Sequence, residues 1–382
     1  MKFDRLSPKV GRHSGDHPVG TASRQRESAF QSHRPKPRLD NIDLLRAIAI
    51  VAVILYHYTT RRPADFYQAA EMPFTFPWGR HGVDLFFTVS GFCIFMTLDG
   101  SSSLENFWAR RIARLQPAYV VAIVITAATM MVADLPGLST SWAIAISNML
   151  WFNIIPHWPQ VDGAYWSLVV ELKFYFLIGL IYYAMRGRNI SVAWLTVCAI
   201  GAAGRLAGEY SSITDQLLIA DYAPCFLAGI LAWEWTRLDR SQAYSMALIT
   251  CILLFISPRF SDGPALGPII GAAAFAVLRM SWLRIPKAIT FIGLISYSLY
   301  LLHENIGYAL IRALPFGIDF RLAAAFLIVT ALAAFLYWAV ERRWERAVQR
   351  HSELLIGAGR RSLHLPPRPI LKPSLPDEMR AW

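Results

Sequence analysis

Apolar segments of about 15–21 residues recur along this chain, at roughly 44–60, 82–98, 117–134, 165–185, 190–207, 221–237, 243–258, 264–280, 288–304 and 321–341. Each matches the ~20 residues a helix needs to cross ~30 Å of hydrocarbon. Backbone amides in lipid have no water to bond, so only helices satisfy segments of this length. The pattern predicts an all-α, polytopic membrane protein with about ten transmembrane helices. Composition supports this: 55% of residues are hydrophobic and only 16% are charged, against roughly 25% charged in ordinary soluble domains. Residues 141–155 (SWAIAISNMLWFNII) are apolar too, but short and bracketed by Pro136 and Pro156. They predict a re-entrant or interfacial helix, with an eleventh span as the alternative.

A formal net charge of +11 would suggest nucleic acid if it were spread evenly. It is not. Residues 1–42 hold nine Lys/Arg against four Asp/Glu, and residues 342–382 hold the same numbers, so each end carries +5 and the 299 residues between them only +1. Both ends are rich in Pro, Ser, Arg and Gly and lack helical periodicity, as disordered segments do. The expected organisation is a basic cytoplasmic tail over 1–42, a transmembrane domain over 43–345 and a second basic tail over 346–382. No nucleic-acid partner is expected. No short apolar core with a cleavage site precedes residue 43, so a cleaved signal peptide is not expected.

Loop charges set the orientation. With the N-terminus inside, the cytoplasmic ends carry Arg110, Arg111, Arg114, Arg186, Arg188, Arg237, Arg240, Arg279, Arg284 and Lys287. The other side carries Arg61, Arg62, Arg80, Arg205, Arg259, Arg312 and Arg321. An even number of spans then puts both termini in the cytoplasm, as expected of a multi-pass protein of the cell (inner) membrane, bathed in membrane lipids. The four cysteines lie in apolar stretches without paired spacing. They predict buried hydrophobes and no metal site.

Ionisable groups inside spans are costly, which makes each a candidate for function. The first span opens on Asp40 and Asp43, continues through Arg46 and ends at His57. Arg46 and His57 share one helix face about 16 Å apart at 1.5 Å per residue. Histidine suits general-base work because its ordinary pKa of about 6.5 lies near working pH. The second span carries Asp84 and Ser90-Gly91, with Asp84 a candidate to neutralise Arg46 or orient a base. Arg110, Arg111 and Arg114 follow; the last two, three apart, present two guanidiniums together, suited to phosphate oxygens. Trp166 and Glu171 open the fourth apolar segment, while Ser296, Tyr300 and His303 share one face near the end of the ninth. Snorkelling arginines, anionic-lipid contacts and interfacial aromatics are the plainer readings of the same residues.

Taken in order, these motifs resemble the integral-membrane acyltransferase family 3. The resemblance rests on Arg38-Leu-Asp40 through Arg46-Ala-Ile-Ala to His57; Gly82-Val-Asp84-Leu-Phe-Phe with Ser90-Gly91-Phe92; Arg110-Arg111-x-x-Arg114 with Pro117; Trp166-Ser-Leu-x-x-Glu171 with Phe174-Tyr175; and Ser296-Tyr-Ser298-Leu-Tyr300-Leu-Leu-His303. They cover about 40–345.

The resemblance implies ten spans and transfer of an acyl group, acetyl by preference, from cytoplasmic acyl-CoA to a sugar hydroxyl of a surface polysaccharide, lipid-linked glycan or glycosylated product. It implies acyl-CoA as co-substrate (acetyl-CoA first), with no permanently bound cofactor. By matching position, His57, Arg46, Glu171 and His303 are the expected catalytic set, with Arg110, Arg111 and Arg114 holding the donor. Asp40, Asp43, Asp84, Ser90, Trp166, Ser296 and Tyr300 are expected to support them in a cavity lined by Arg46, Asp84, Glu171 and His303. Direct transfer and a covalent acyl-histidine both remain open. Many relatives append an extracytoplasmic hydrolase-like domain. No such pattern follows residue 345, which leaves a partner protein completing transfer as one expectation and makes a peptidoglycan acceptor the less expected. A transporter of a lipid-linked sugar or other amphiphile is the alternative class, but no inverted repeat supports it.

Overall fold

The computed structural model describes residues 40–61, 72–99, 101, 103–133, 135, 137–206, 218–280, 283–344 and 346–347. All but a few residues of both expected tails lie outside these, as does Arg62. Among the described residues the protein is all-helical, without a strand. Thirteen α-helices follow one another: α1 Asp40–Tyr56, α2 Gly82–Asp99, α3 Leu104–Ala133, α4 Trp142–Met149, α5 Trp166–Ala184, α6 Ile190–Leu206, α7 Ala223–Glu234, α8 Arg240–Ile256, α9 Leu266–Arg279, α10 Lys287–Leu294, α11 Ser296–Leu302, α12 Glu304–Ala313 and α13 Ile318–Leu336.

Five helical stretches are long and apolar enough to cross a membrane: Asp40–Arg61, Pro77–Asp99, Leu104–Ala133, Gly163–Ala184 and Ile318–Trp344. Ile190–Gly204, Ala223–Glu234, Arg240–Ile256 and Leu266–Arg279 are equally apolar but shorter. Burial ranks the long ones. The second is 83% buried inside the protein and the last only 28%, so α2 is the central post and α13 a peripheral stave.

The centre is built on close backbone approach. A Cβ on Gly91 of α2 would collide with the carbonyl oxygen of Phe226 on α7, and one on Gly229 of α7 with that of Thr88 on α2. Small residues let helices meet this closely, which drives association where lipid offers no hydrophobic gain. Aromatic rings seal the crossing: Phe174 of α5 stacks on Phe226 with centroids 3.9 Å apart.

Two expectations change, and the alternative of an eleventh span falls away. The Arg110–Arg114 segment is part of a 30-residue helix that begins at Leu104 and continues through Pro117. Phe107, Leu115, Ala118, Tyr119 and Ala122 are all buried, an i, i+3/i+4 stripe that carries the helix back before the apolar segment starts. Residues 141–155 contain only the eight-residue α4 and a turn with Trp151 at φ 62°; at 1.5 Å per residue α4 rises ~12 Å, too little to cross. The ninth apolar segment is broken at Ile295 and again at His303 into α10, α11 and α12.

Such breaks free carbonyls that lipid cannot satisfy. Tyrosine hydroxyls take them: Tyr165 donates to Leu301 O (3.0 Å) and Tyr58 to His303 O (2.9 Å). α1 also loosens into a π-helical turn at His57–Arg61, a distortion often found at functional sites.

Candidate functional site

A cavity of about 80 Å³ opens among α1, α2, α3, α5 and α11, well above the ~10–15 Å³ that a single water needs. Arg46, Arg111 and Arg114 line it together with Glu171, and Ser90, Cys93, Tyr175, Ser167, Ser296 and Tyr300 complete its polar wall. Three guanidiniums therefore face one carboxylate. Glu171 is already engaged: its Oε1 accepts from Ser90 Oγ at 2.7 Å and from the Tyr175 hydroxyl. The nearest polar atom to Arg46 Nη2 is Cys93 Sγ at 3.7 Å. Arg111 donates to the Thr97 hydroxyl and lies near the rings of Phe107 and Tyr175, 5.8 and 5.7 Å from their centroids. Its buried Nε has no hydrogen-bond partner. Such a cavity suits an anionic or strongly hydrogen-bond-accepting group.

Arg110 does not join this wall. It is exposed and donates to Ser101 Oγ (2.6 Å) and Asn106 O (3.2 Å). Neighbouring residues on a helix point about 100° apart, so Arg110 and Arg111 cannot share a face.

A second cluster lies where α1 passes into its π-helical turn. His57 and His303 are buried, with Nδ1 of His57 3.2 Å from Nε2 of His303 and ring centroids 4.9 Å apart. His57 Nδ1 also lies 2.9 Å from Val53 O, and His303 Nδ1 2.8 Å from Tyr300 O. Carbonyls only accept, so both Nδ1 atoms carry hydrogen in the neutral state. His57 Nε2 is then the free base atom. Neither histidine lines the cavity. Tyr300 joins the two regions, lining the cavity while its ring lies 5.3 Å from that of His303. Its hydroxyl pairs with Ser167 Oγ at 2.6 Å. Arg46 and His57, expected as one unit, thus serve different regions.

Asp84 corrects the sequence reading as well. It is fully buried and outside the cavity, and its partner is not Arg46. Oδ1 accepts from Arg259 Nε at 2.9 Å and Oδ2 faces His81 Nδ1 at 2.8 Å. Arg259 in turn lies 5.6 Å from the Trp166 ring centroid and 5.7 Å from that of Tyr222. Burial works against its charge, but the Asp84 carboxylate outweighs this and holds its pKa above the ordinary value. Asp40 is the exposed first residue of α1 and Asp43 is buried one turn on; neither lines the cavity.

The sequence reading did not single out Arg259, His81, Asp162, Glu304, Cys93 or Ser167. Only Glu304 had a local signal, an acid inside an apolar run beside His303.

A family model described as an acyltransferase domain matches residues 39–340. The chain is 26% identical over 325 residues to the peptidoglycan O-acetyltransferase OatA of Listeria monocytogenes, covering 70% of this chain and 49% of that protein. It is 28% identical over 248 residues to the putative peptidoglycan O-acetyltransferase YrhL of Bacillus subtilis, covering 56% and 36%. It is also 28% identical over 166 residues to a putative O-acetyltransferase of Staphylococcus aureus, covering 38% and 25%. The chain thus spans half or less of the length of these relatives. No solved structure matches it.

Proposed function

Since the chain belongs to the integral-membrane acyltransferase family 3, its acyltransferase domain filling residues 39–340, we propose that it is a transmembrane O-acyltransferase. It moves an acyl group, acetyl by preference, from cytoplasmic acyl-CoA to a sugar hydroxyl on the opposite face of the membrane. The observation that carries this reading is the junction of the cationic cavity and the histidine pair through Tyr300. One region suits a phosphorylated thioester and the other a hydroxyl acceptor.

In this reading the protein has ten spans with both termini in the cytoplasm of the cell membrane, the shorter apolar helices and the broken segment supplying those beyond the five long ones. Arg111 and Arg114 grip the phosphates of acyl-CoA, and the acyl arm runs along the cavity past Arg46 and Glu171. His57 Nε2 takes the proton of the acceptor hydroxyl, whose oxygen attacks the thioester carbonyl as the CoA thiolate leaves. The Ser167–Tyr300 hydroxyl pair lies between cavity and histidines, and turning the hydrogen it shares with Ala164 O toward the carbonyl oxygen would stabilise that oxygen as it gains charge. The O-acetyltransferase names of the relatives support the acetyl group and a hydroxyl acceptor.

Purified protein in vesicles supplied with labelled acetyl-CoA and a glycan acceptor tests the proposal. Consumption of donor with labelling of the glycan is expected; both should vanish in a His57→Ala variant that accumulates normally, and both should need far more donor in an Arg46→Ala variant. Full activity in either variant, or glycan movement without donor consumption, overturns it.

A further inference from the structure

The acyl transfer proposed above uses His57 and leaves its neighbours unexplained. Two buried carboxylates stand behind it. Glu304, the first residue of α12, is 2% exposed and places Oε2 3.5 Å from His57 Nε2. That is the one ring atom not committed to a carbonyl or to His303. Asp162 is 1% exposed, and the residue after it, Gly163, packs against the Glu304 carboxylate. Two backbone amides hold Asp162 in place: Ala164 N donates to its Oδ1 (2.9 Å) and Asn305 N to its Oδ2 (3.1 Å). Asp162 is therefore tied both to its own turn and to the start of α12.

The local sequence is adapted to this contact. A Cβ on Gly163 would lie 2.9 Å from Glu304 Oε1 and 3.1 Å from Oε2, so only glycine lets Glu304 sit so close beside Asp162. Arg61 places its Nε 3.5 Å from Glu304 Oε1 on a side chain 38% exposed. Neighbouring buried carboxylates disfavour ionising together, and such pairs can hold one proton between them. Burial, and next the neighbouring Glu304, push the Asp162 carboxyl well above the usual carboxylate range.

We infer that Glu304 and Asp162 form a proton-holding dyad that receives the proton His57 takes from the acceptor hydroxyl and releases it beside Arg61. The inference rests on His57 being the base. In the step, the acceptor O–H bond breaks, its proton goes to His57 Nε2, and its oxygen bonds the acyl carbon as the C–S bond breaks. The proton then passes from Nε2 to Glu304, and the dyad carries it until water at the Arg61 side removes it. The CoA thiolate takes its own proton from water at the donor side, so atoms and charge balance. Glu304 is thus a positioning residue that acts through His57.

The groups facing the dyad set its pH response. They are His57 and Arg61 of the π-helical turn, Tyr165 beside α5, Tyr119 of α3, and Tyr300, His303 and Tyr308 of the broken segment.

The test is acetyl transfer by the full chain in vesicles with Glu304→Gln, read as kcat and KM for acetyl-CoA against pH and against the concentration of imidazole buffer on the acceptor side. Without the dyad, the proton on His57 leaves only to external base. We expect kcat to fall at least tenfold, KM to stay within about twofold, and the lost rate to return several-fold as imidazole rises at constant pH, while the wild type stays flat. Glu304→Asp should recover part of the rate. An unchanged kcat overturns the inference, as does a loss equal at every pH and buffer concentration, which marks a merely structural role. If Glu304→Gln does not accumulate, Asp162→Asn is read by the same criteria. Absence of transfer by the wild type overturns the proposed function, and this inference with it.

Discussion

In the cavity, Arg46, Arg111 and Arg114 line one wall with Glu171, whose Oε1 already serves two hydroxyls, and Arg111 Nε lies buried with no hydrogen-bond partner. Around His57 most polar atoms are engaged: ring nitrogens on carbonyls and on each other, Asp162 oxygens on backbone amides, tyrosine hydroxyls on carbonyls freed at the His303 break. An unpaired buried polar group costs about 1–3 kcal/mol, more when charged. The cavity carries that cost on a cation, at Arg111 Nε, and the cluster on a neutral amide, at Asn305 Oδ1. A cationic nitrogen without a partner is one an anionic ligand completes, whereas a region held by its own hydrogen bonds keeps its geometry for a reaction. Variants in the first should therefore act on affinity and variants in the second on turnover.

The largest effect is expected at His57. His57→Ala removes the base, and positioned bases contribute about 10²–10⁴-fold. Transfer should fall by at least ~10²-fold while acetyl-CoA still protects the cavity from thiol reagents at Cys93, read by mass spectrometry of the labelled protein. A parallel loss of protection would show that the two regions are not separable.

The Asp84 network gives a contrasting case, a charge cluster with a structural role. Arg259→Ala leaves a fully buried carboxylate with only His81 beside it. Breaking a buried pair from one side costs about 3–5 kcal/mol, and the lower end applies because Arg259 is partly exposed. A fall of several degrees or more in the thermal unfolding midpoint in detergent is expected, with turnover per folded molecule changed far less. A turnover loss without destabilisation would move Asp84 into the chemistry.

How much of this was legible follows from the range of each interaction. The apolar spacing gave the helical class, because a bilayer imposes one length on each crossing. The shared level of His57 and His303 was also readable, since both end apolar segments on the same expected side, but their contact was not. Arg259 as partner of Asp84 was not: 175 residues separate them, and in the sequence Arg259 is one thinly spread loop charge. Nor were the breaks at Ile295 and His303 readable, because neither proline nor glycine marks them. They persist because tyrosines from elsewhere satisfy the freed carbonyls, and only the assembled fold supplies those.

A smaller effect tests the cavity. The double variant Arg111→Ala with Arg114→Ala removes two charged donors, each worth about 1.5–3 kcal/mol. Water fills the space and returns part of that. A rise in KM for acetyl-CoA of about 10–100-fold is expected, since each 1.4 kcal/mol is a factor of ten, with kcat at saturation falling far less. An unchanged KM would leave these arginines as topology or lipid determinants.

The smallest effect is expected one residue away. Arg110 belongs to the same basic motif, yet its guanidinium is exposed and bonded to Ser101 and Asn106, on a different side of α3 from Arg111. Exposed polar contacts of this kind contribute about 1 kcal/mol or less. Arg110→Ala should therefore change KM for acetyl-CoA by less than about twofold in the same vesicle assay that detects the Arg111/Arg114 effect. A tenfold rise would mean that the donor's phosphates extend beyond the cavity mouth onto the exposed face of α3, and the boundary between the gripping and the solvated arginines would have to move by one residue.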